Sequence, residues 1–191
     1  RVVFLQVAVP TRSGVAAYDA LRRAVEEAVG RINGRYGLNW QMPLRYQYRA
    51  LSRRELLAHY QAADAVLVTP LKDGLNLVAK EFAAARLDER GVLLLSVFAG
   101  AAQQLTGFLP VNPYFAEGMA RRMREAVEMS PARQRQMMQS LRRSVQKHDL
   151  RWWWAEIVAN TLVPVTTRRE NHKIIYGKAG KEYGGEITAL A

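Results

Sequence analysis

The sequence predicts an α/β fold, a Rossmann-like parallel sheet with helices on both faces. Val2–Val9 is apolar on both alternations, the pattern of a strand covered on two sides. The β-branched run Ala65–Thr69 leads through Pro70–Gly74 into helix-like Asn76–Arg86. Gly91–Val97 then opens a second round of strand, loop and helix, and such alternation places parallel strands between helical layers.

Each element has its own local reason. Beyond Pro10 and Gly14, the residues Leu21, Val25, Val29 and Ile32 recur at helical spacing and mark one buried stripe, with Gly34 as the expected C-terminal cap. Leu44–Tyr48 reads as a strand. Ser52 and Glu55 form a capping box, opening a helix that runs to about Ala62. After Gly91–Val97 come a short helix in Phe98–Leu105, a strand at Phe108–Val111 and a helix over Phe115–Met129. Pro131–Asn160 reads as helix, with Met137, Met138, Leu141 and Val145 on one stripe and Trp152–Trp154 near its end. Ordinary packing is the expected role of these methionines and tryptophans. Residues 1–160 are expected to form one nucleotide-sugar-binding domain, and residues 161–191, Gly-rich and aperiodic, an irregular or partly disordered tail.

Composition narrows the chemistry. A chain of 191 residues, 49% hydrophobic, can bury roughly 70% of its unfolded surface in one core. With no cysteine, thiolate metal clusters, disulfides and thiol nucleophiles are excluded, and a cytoplasmic location fits. The apolar runs fall well short of the roughly 20 residues a membrane span needs, so a soluble protein is expected. The net charge of +11 calls for an anionic partner: nucleic acid, an acidic membrane surface or a phosphorylated small molecule. The arginines Arg121, Arg122, Arg124, Arg133, Arg135, Arg142 and Arg143 are dispersed among apolar residues, which reads as a solvated helical face. His59, His148 and His172 lack paired metal-ligand spacing and read as structural.

The segment Val66–Phe82 concentrates the chemistry. A strand ends, a loop holding Asp73-Gly74 follows, and a helix begins. The free amides and positive dipole end at such a junction suit a phosphate or diphosphate, and Gly74 lets the backbone approach it. Asp73 can accept hydrogen bonds from sugar hydroxyls, and Glu81 from both hydroxyls of a ribose. The plainer alternative is a turn at Asp73-Gly74, a cap at Asn76 and an acid favoured by the dipole at Glu81.

The run Thr69–Glu81, with Asp73-Gly-Leu-Asn-Leu-Val-Ala-Lys-Glu81 at its centre, resembles the donor-site signature of the trehalose-6-phosphate synthase family. Gln6-Val-Ala-Val-Pro-Thr-Arg12, Phe98-Ala-Gly-Ala-Ala-Gln103 and Val111-Asn-Pro-Tyr114 extend the resemblance in order over residues 1–160. It implies the C-terminal half of a retaining GT-B glycosyltransferase that moves glucose from UDP-glucose, or another nucleotide-glucose, to glucose 6-phosphate. By that resemblance Asp73 is the catalytic position, holding the glucose hydroxyls. Gly74, Leu75 and Asn76 meet the donor diphosphate, Leu77 and Val78 add main-chain contacts, Glu81 binds the uridine ribose, and Arg12 holds the acceptor phosphate. It implies no cofactor, metal or covalent protein nucleophile, and suggests self-association.

Two positions depart from the family pattern: Gly14 where an acid is usual, and Phe115 where an aspartate is common. The acceptor-binding N-terminal domain and its basic pair are expected to precede Arg1, so residues 1–191 alone are expected to be inactive. Other readings stand beside this one. Glucosylglycerol-phosphate synthases share the Asp73–Glu81 signature, with Arg12 favouring the trehalose branch. A non-catalytic regulatory relative would keep the nucleotide fold. A nucleic-acid-binding module is prompted by the basic-aromatic stretches Lys147–Trp154 and Lys173–Tyr183, and opposed by the dispersed charge.

Overall fold

The computed structural model describes residues 2–11, 14–39 and 41–162. Strands and helices alternate along them: β1 (Phe4–Ala8), α1 (Ala16–Tyr36), β2 (Leu44–Tyr48), α2 (Arg53–Ala62), β3 (Ala65–Val68), α3 (Leu77–Ala85), β4 (Val92–Ser96), β5 (Leu109–Val111), α4 (Ala116–Glu128), α5 (Pro131–Lys147) and α6 (Leu150–Leu162). A 3-10 turn, Gly100–Gln103, lies between β4 and β5. The class is α/β, and among the described residues the named strands all pair in parallel, in two sheets, β1-β2 and β3-β4-β5. The chain divides into two compact units, Arg1–Leu56 and Leu57–Ala191, so that α2 begins in one and ends in the other.

In the first unit, β1 pairs with β2 from Phe4 opposite Leu44 to Ala8 opposite Tyr48. The strand expected to be covered on both faces is only half-buried, because β2 is its one ladder partner among the described residues. α1 buries Val25, Val29 and Ile32 in part, whereas Leu21, the first member of the expected stripe, is 62% exposed. The helix also passes through Gly34 and stops at Gly37, whose φ of −69° is not left-handed. Its exit is fixed instead by Asn33. That side-chain amide donates to Leu44 O at 2.8 Å and accepts from Leu44 N at 3.1 Å, tying the last helical turn to β2.

The capping box at the start of α2 forms as expected. Ser52 Oγ accepts from Glu55 N at 3.3 Å, and Glu55 Oε2 accepts from Ser52 N at 2.8 Å. Arg49 donates to the other carboxylate oxygen at 2.9 Å.

The second unit holds the deep core. β4 lies between β3 and β5 and is buried at every residue. Val92 and Leu94 pack with Leu109, Val111 and Ala126 of α4, while Leu93 and Leu95 point to the other face. Phe82 of α3 is fully buried and meets Tyr60 edge-on, with ring centroids 6.0 Å apart.

Two arginines close helix ends here. Arg86, only 3% exposed, donates from one terminal nitrogen to the carbonyls of Tyr60, Gln61 and Ala63 at the end of α2, and its fork meets Asp88 at 2.9 and 3.1 Å. Arg142 of α5 donates likewise to the carbonyls of Ala83, Ala84 and Arg86 at the end of α3. A cation at a helix C-terminus satisfies orphan carbonyls and matches the dipole. Arg142 is therefore a cap rather than part of a solvated face.

The long helix expected over Pro131–Asn160 is broken. His148 bonds through Nδ1 to Ser144 O at 2.9 Å, and Asp149 Oδ1 accepts from Trp152 N at 2.8 Å, so one helix is capped and another started within two residues. Met138 and Leu141 of α5 are buried as expected. Trp153 and Trp154 are not: they are 45% and 63% exposed. Three consecutive helical residues point about 100° apart, so one packed face cannot take all three. The tail expected from residue 161 lies, from 163 onward, outside the described residues, as does His172.

Candidate donor site

β3 ends at Val68, and the chain turns through Thr69–Asn76 before α3 begins. This loop rests on the turn that follows β4. Ser96 Oγ donates to Pro70 O at 2.8 Å, Asp73 N to Phe98 O at 3.3 Å, Gly100 N to Asp73 O at 2.9 Å and Ala101 N to Leu75 O at 2.7 Å. The two segments touch so closely that a Cβ at Gly100 would stand 2.0 Å from Gly74 O, a distance no side chain survives. Gly74 faces open space, with nothing within 4 Å of where its Cβ would be. The packing thus requires glycine at Gly100, while at Gly74 it leaves a bare backbone edge.

Asp73 braces the loop. Oδ1 accepts from Leu75 N at 3.0 Å and Oδ2 from Asn76 Nδ2 at 3.1 Å. Asn76 has a φ of 71°, in the left-handed region where asparagine is enriched, and its Oδ1 accepts from Ala79 N at 3.1 Å as the cap of α3. Among the described residues the amides of Gly74, Asn76, Leu77 and Val78 have no protein acceptor, whereas the Leu75 amide is held by Asp73. Leu77, Val78 and Glu81 share one exposed ridge of α3, while Ala79, Phe82 and Ala83 face the core. Asp73, Gly74, Leu75, Asn76, Leu77, Val78 and Glu81 therefore stand together at one helix N-terminus. Arg12 lies outside the described residues.

Sequence reasoning passed over two neighbours. Tyr60, 6% exposed, donates its hydroxyl to Glu81 Oε2 at 3.4 Å; burial, then the nearby carboxylate, push its pKa up to about 12. Lys80 Nζ donates to Gln104 Oε1 at 2.6 Å. The partners are 21 and 24 positions apart, so only folding brings them together. A groove of about 780 Å³ lined by Arg121, Arg124, Glu125, Glu128 and Arg133 holds none of the site residues, and Glu125 pairs there with Arg122 and Arg133. Among the described residues no cluster of His, Asp and Glu is arranged to hold a metal, and no helix is long and apolar enough to cross a membrane.

The profile of Glycosyltransferase family 20 matches residues 1–162. The chain belongs to glycosyltransferase family 20. The family chain is 43% identical over 162 residues to an alpha,alpha-trehalose-phosphate synthase [UDP-forming] of Aspergillus fumigatus, a match covering 85% of this chain and 34% of the relative. A crystal structure of the UDP-forming alpha,alpha-trehalose-phosphate synthase from Burkholderia xenovorans, in complex with glucose-6-phosphate, superposes with a TM-score of 0.79 at 38% identity, covering 83% of this chain and 35% of that one. A trehalose-6-phosphate structure from E. coli bound with UDP-2-fluoro glucose gives the same score and identity, over 83% and 35% of the two chains. This glycosyltransferase family 20 chain thus spans about a third of the length of the relatives it matches.

Proposed function

We propose that the chain is the nucleotide-sugar-binding part of a retaining glucosyltransferase that passes glucose from UDP-glucose to glucose 6-phosphate, forming trehalose phosphate. One observation carries the reading: the acceptor-free amides of Gly74, Asn76, Leu77 and Val78 open the N-terminus of α3 between two carboxylates, Asp73 and Glu81. Relatives of this family held with glucose-6-phosphate and with UDP-2-fluoro glucose supply the two substrates.

The chemistry follows from charge. Breaking the glucosyl bond leaves negative charge on the UDP diphosphate, and preorganised amides at the positive end of a helix stabilise it without reorganising. The bare edge of Gly74 admits the phosphate closely. Asp73 keeps spare lone pairs on both oxygens after bracing the loop, and these accept glucose hydroxyls; it is the catalytic residue of the reading. Glu81, with Tyr60 on Oε2, offers Oε1 to the ribose. Arg12 is the residue the family resemblance assigns to the acceptor phosphate, a role a planar guanidinium suits. The remainder of the protein brings the acceptor hydroxyl to the anomeric carbon, and positioning of that kind supplies much of the rate. The reaction calls for no metal and no covalent nucleophile. A chain without cysteine suits work in the cytoplasm.

Calorimetric titration with UDP and UDP-glucose tests this. Both should bind, and Glu81→Ala should weaken both by about tenfold or more, the worth of hydrogen bonds to a charged group. Because Asp73 also braces the loop, Asp73→Ala should weaken both ligands and UDP-glucose more. Equal binding by the wild type and the Glu81 variant would sink the assignment.

A further inference from the structure

Lys80 occupies a position that ordinary helix electrostatics disfavours. It stands in the first turn of α3, at the positive end of the dipole, where acids are preferred. Nor is it spread over the surface: it is half-buried, and that burial holds its pKa below the usual lysine value. Among the described residues it forms no ion pair. Its ammonium spends its shortest bond, 2.6 Å, on the neutral amide oxygen of Gln104.

Gln104 caps the 3-10 turn Gly100–Gln103. The same turn supplies the Gly100 and Ala101 amides that hold the carbonyls of Asp73 and Leu75. One rigid piece of backbone therefore grips the donor loop at one end and, through Gln104, the first turn of the donor helix at the other. The far side of this piece is anchored as well. Thr106 bonds by its amide and hydroxyl to Ser144 Oγ of α5, and a Cβ at Gly107 would stand 2.2 Å from Met137 O.

We infer that Lys80 and Gln104 form a positioning strut, which fixes the first turn of α3 against the 3-10 turn and so sets the spacing of the Gly74, Asn76, Leu77 and Val78 amides that receive the diphosphate. The inference rests on the donor-site reading above. The bond is charge-assisted and short, and the long lysine stem spans the gap between the two elements. Lys80 acts through the backbone it holds and does not itself touch substrate.

The strut separates from a simple charge effect because Gln104 is neutral. Calorimetry with UDP and with uridine, on the wild type, Lys80→Met, Gln104→Met and the double variant, decides it. Gln104→Met keeps the cation and breaks the bond. Each single change should lower UDP affinity about tenfold, and the double should fall little below Lys80→Met, since one shared bond is lost only once. Uridine, which lacks the diphosphate, should bind all four proteins alike. UDP binding by Gln104→Met at the wild-type level would overturn the strut, as would a parallel fall for uridine, which signals general damage. A wild type that retains uridine but gains nothing from the diphosphate would overturn the donor-site reading, and the strut with it.

Discussion

β1 and β4 are both five-residue parallel strands, and the alternation of strands and helices in the sequence predicts for both a place between helical layers. In the structure β4 is buried at every position while β1 is half-buried, with Leu5 37% exposed. The difference lies in what flanks each strand. β4 has a ladder partner on either side and helices packed over it, whereas among the described residues β1 has β2 alone in its sheet. The loop that carries Asp73 and the amides of the candidate site grows from β3, the neighbour of the deeper strand, and rests on the turn that leaves β4. The candidate site is thus mounted on the better-buried framework.

Core truncation is the strongest way to break that contrast. Phe82→Ala in the second unit should cost about 3–5 kcal/mol, and Leu5→Ala in the first well under half of that, read from denaturation midpoints. Equal losses would mean that β1 is packed as deeply as the core around β4. Next in size, Gly100→Ala drives a methyl into the Gly74 carbonyl, an overpacking worth about 1–3 kcal/mol. UDP retention should collapse in that variant while Gly74→Ala, whose Cβ meets open space in the protein, keeps the melting temperature of the wild type.

The smallest effect belongs to the first unit and sharpens the comparison through pH. The Glu55 carboxyl is held down to about 2, from an ordinary 4.5, by hydrogen bonds from Arg49 first and Ser52 next. Its folded pKa lies below the unfolded one, so the stabilisation is whole above pH 4.5 and drains away as pH falls toward 2. Glu55→Gln should flatten the fall of melting temperature across that window and leave the slope above it unchanged. A curve that keeps its acid limb would assign the loss to other carboxylates.

What could be read in advance was local. Leu44–Tyr48 and the Ser52–Glu55 box are signals contained within a few residues, and both took their expected form. The strand-to-helix loop with its Asn76 cap was legible for the same reason, since Asp73, Asn76 and the helix they open are contiguous. The break at His148-Asp149 was hidden because the apolar stripe runs on past it, while the two capping bonds depend on single side chains. Gly100, Tyr60 and Lys80 were out of reach because their partners lie a strand or a helix away, and nothing at those positions names the residue they will meet. Arg142 read as ordinary surface charge, since a cation that will cap a distant helix looks no different in sequence from one bound for water.

The cap that Arg142 places on α3 also has a consequence in time. A chain leaving the ribosome presents Asp73 through Glu81 about 60 residues before Arg142 emerges, a wait of about 3–12 s at about 5–20 residues per second. Through that interval the last carbonyls of α3 are left to water, and α5, against which Gly107 seats its loop, does not yet exist. The bracing of the candidate site is therefore a late acquisition of the nascent chain, completed from its C-terminal side, and the Asp73–Glu81 signature is out well before the contacts that hold it are made.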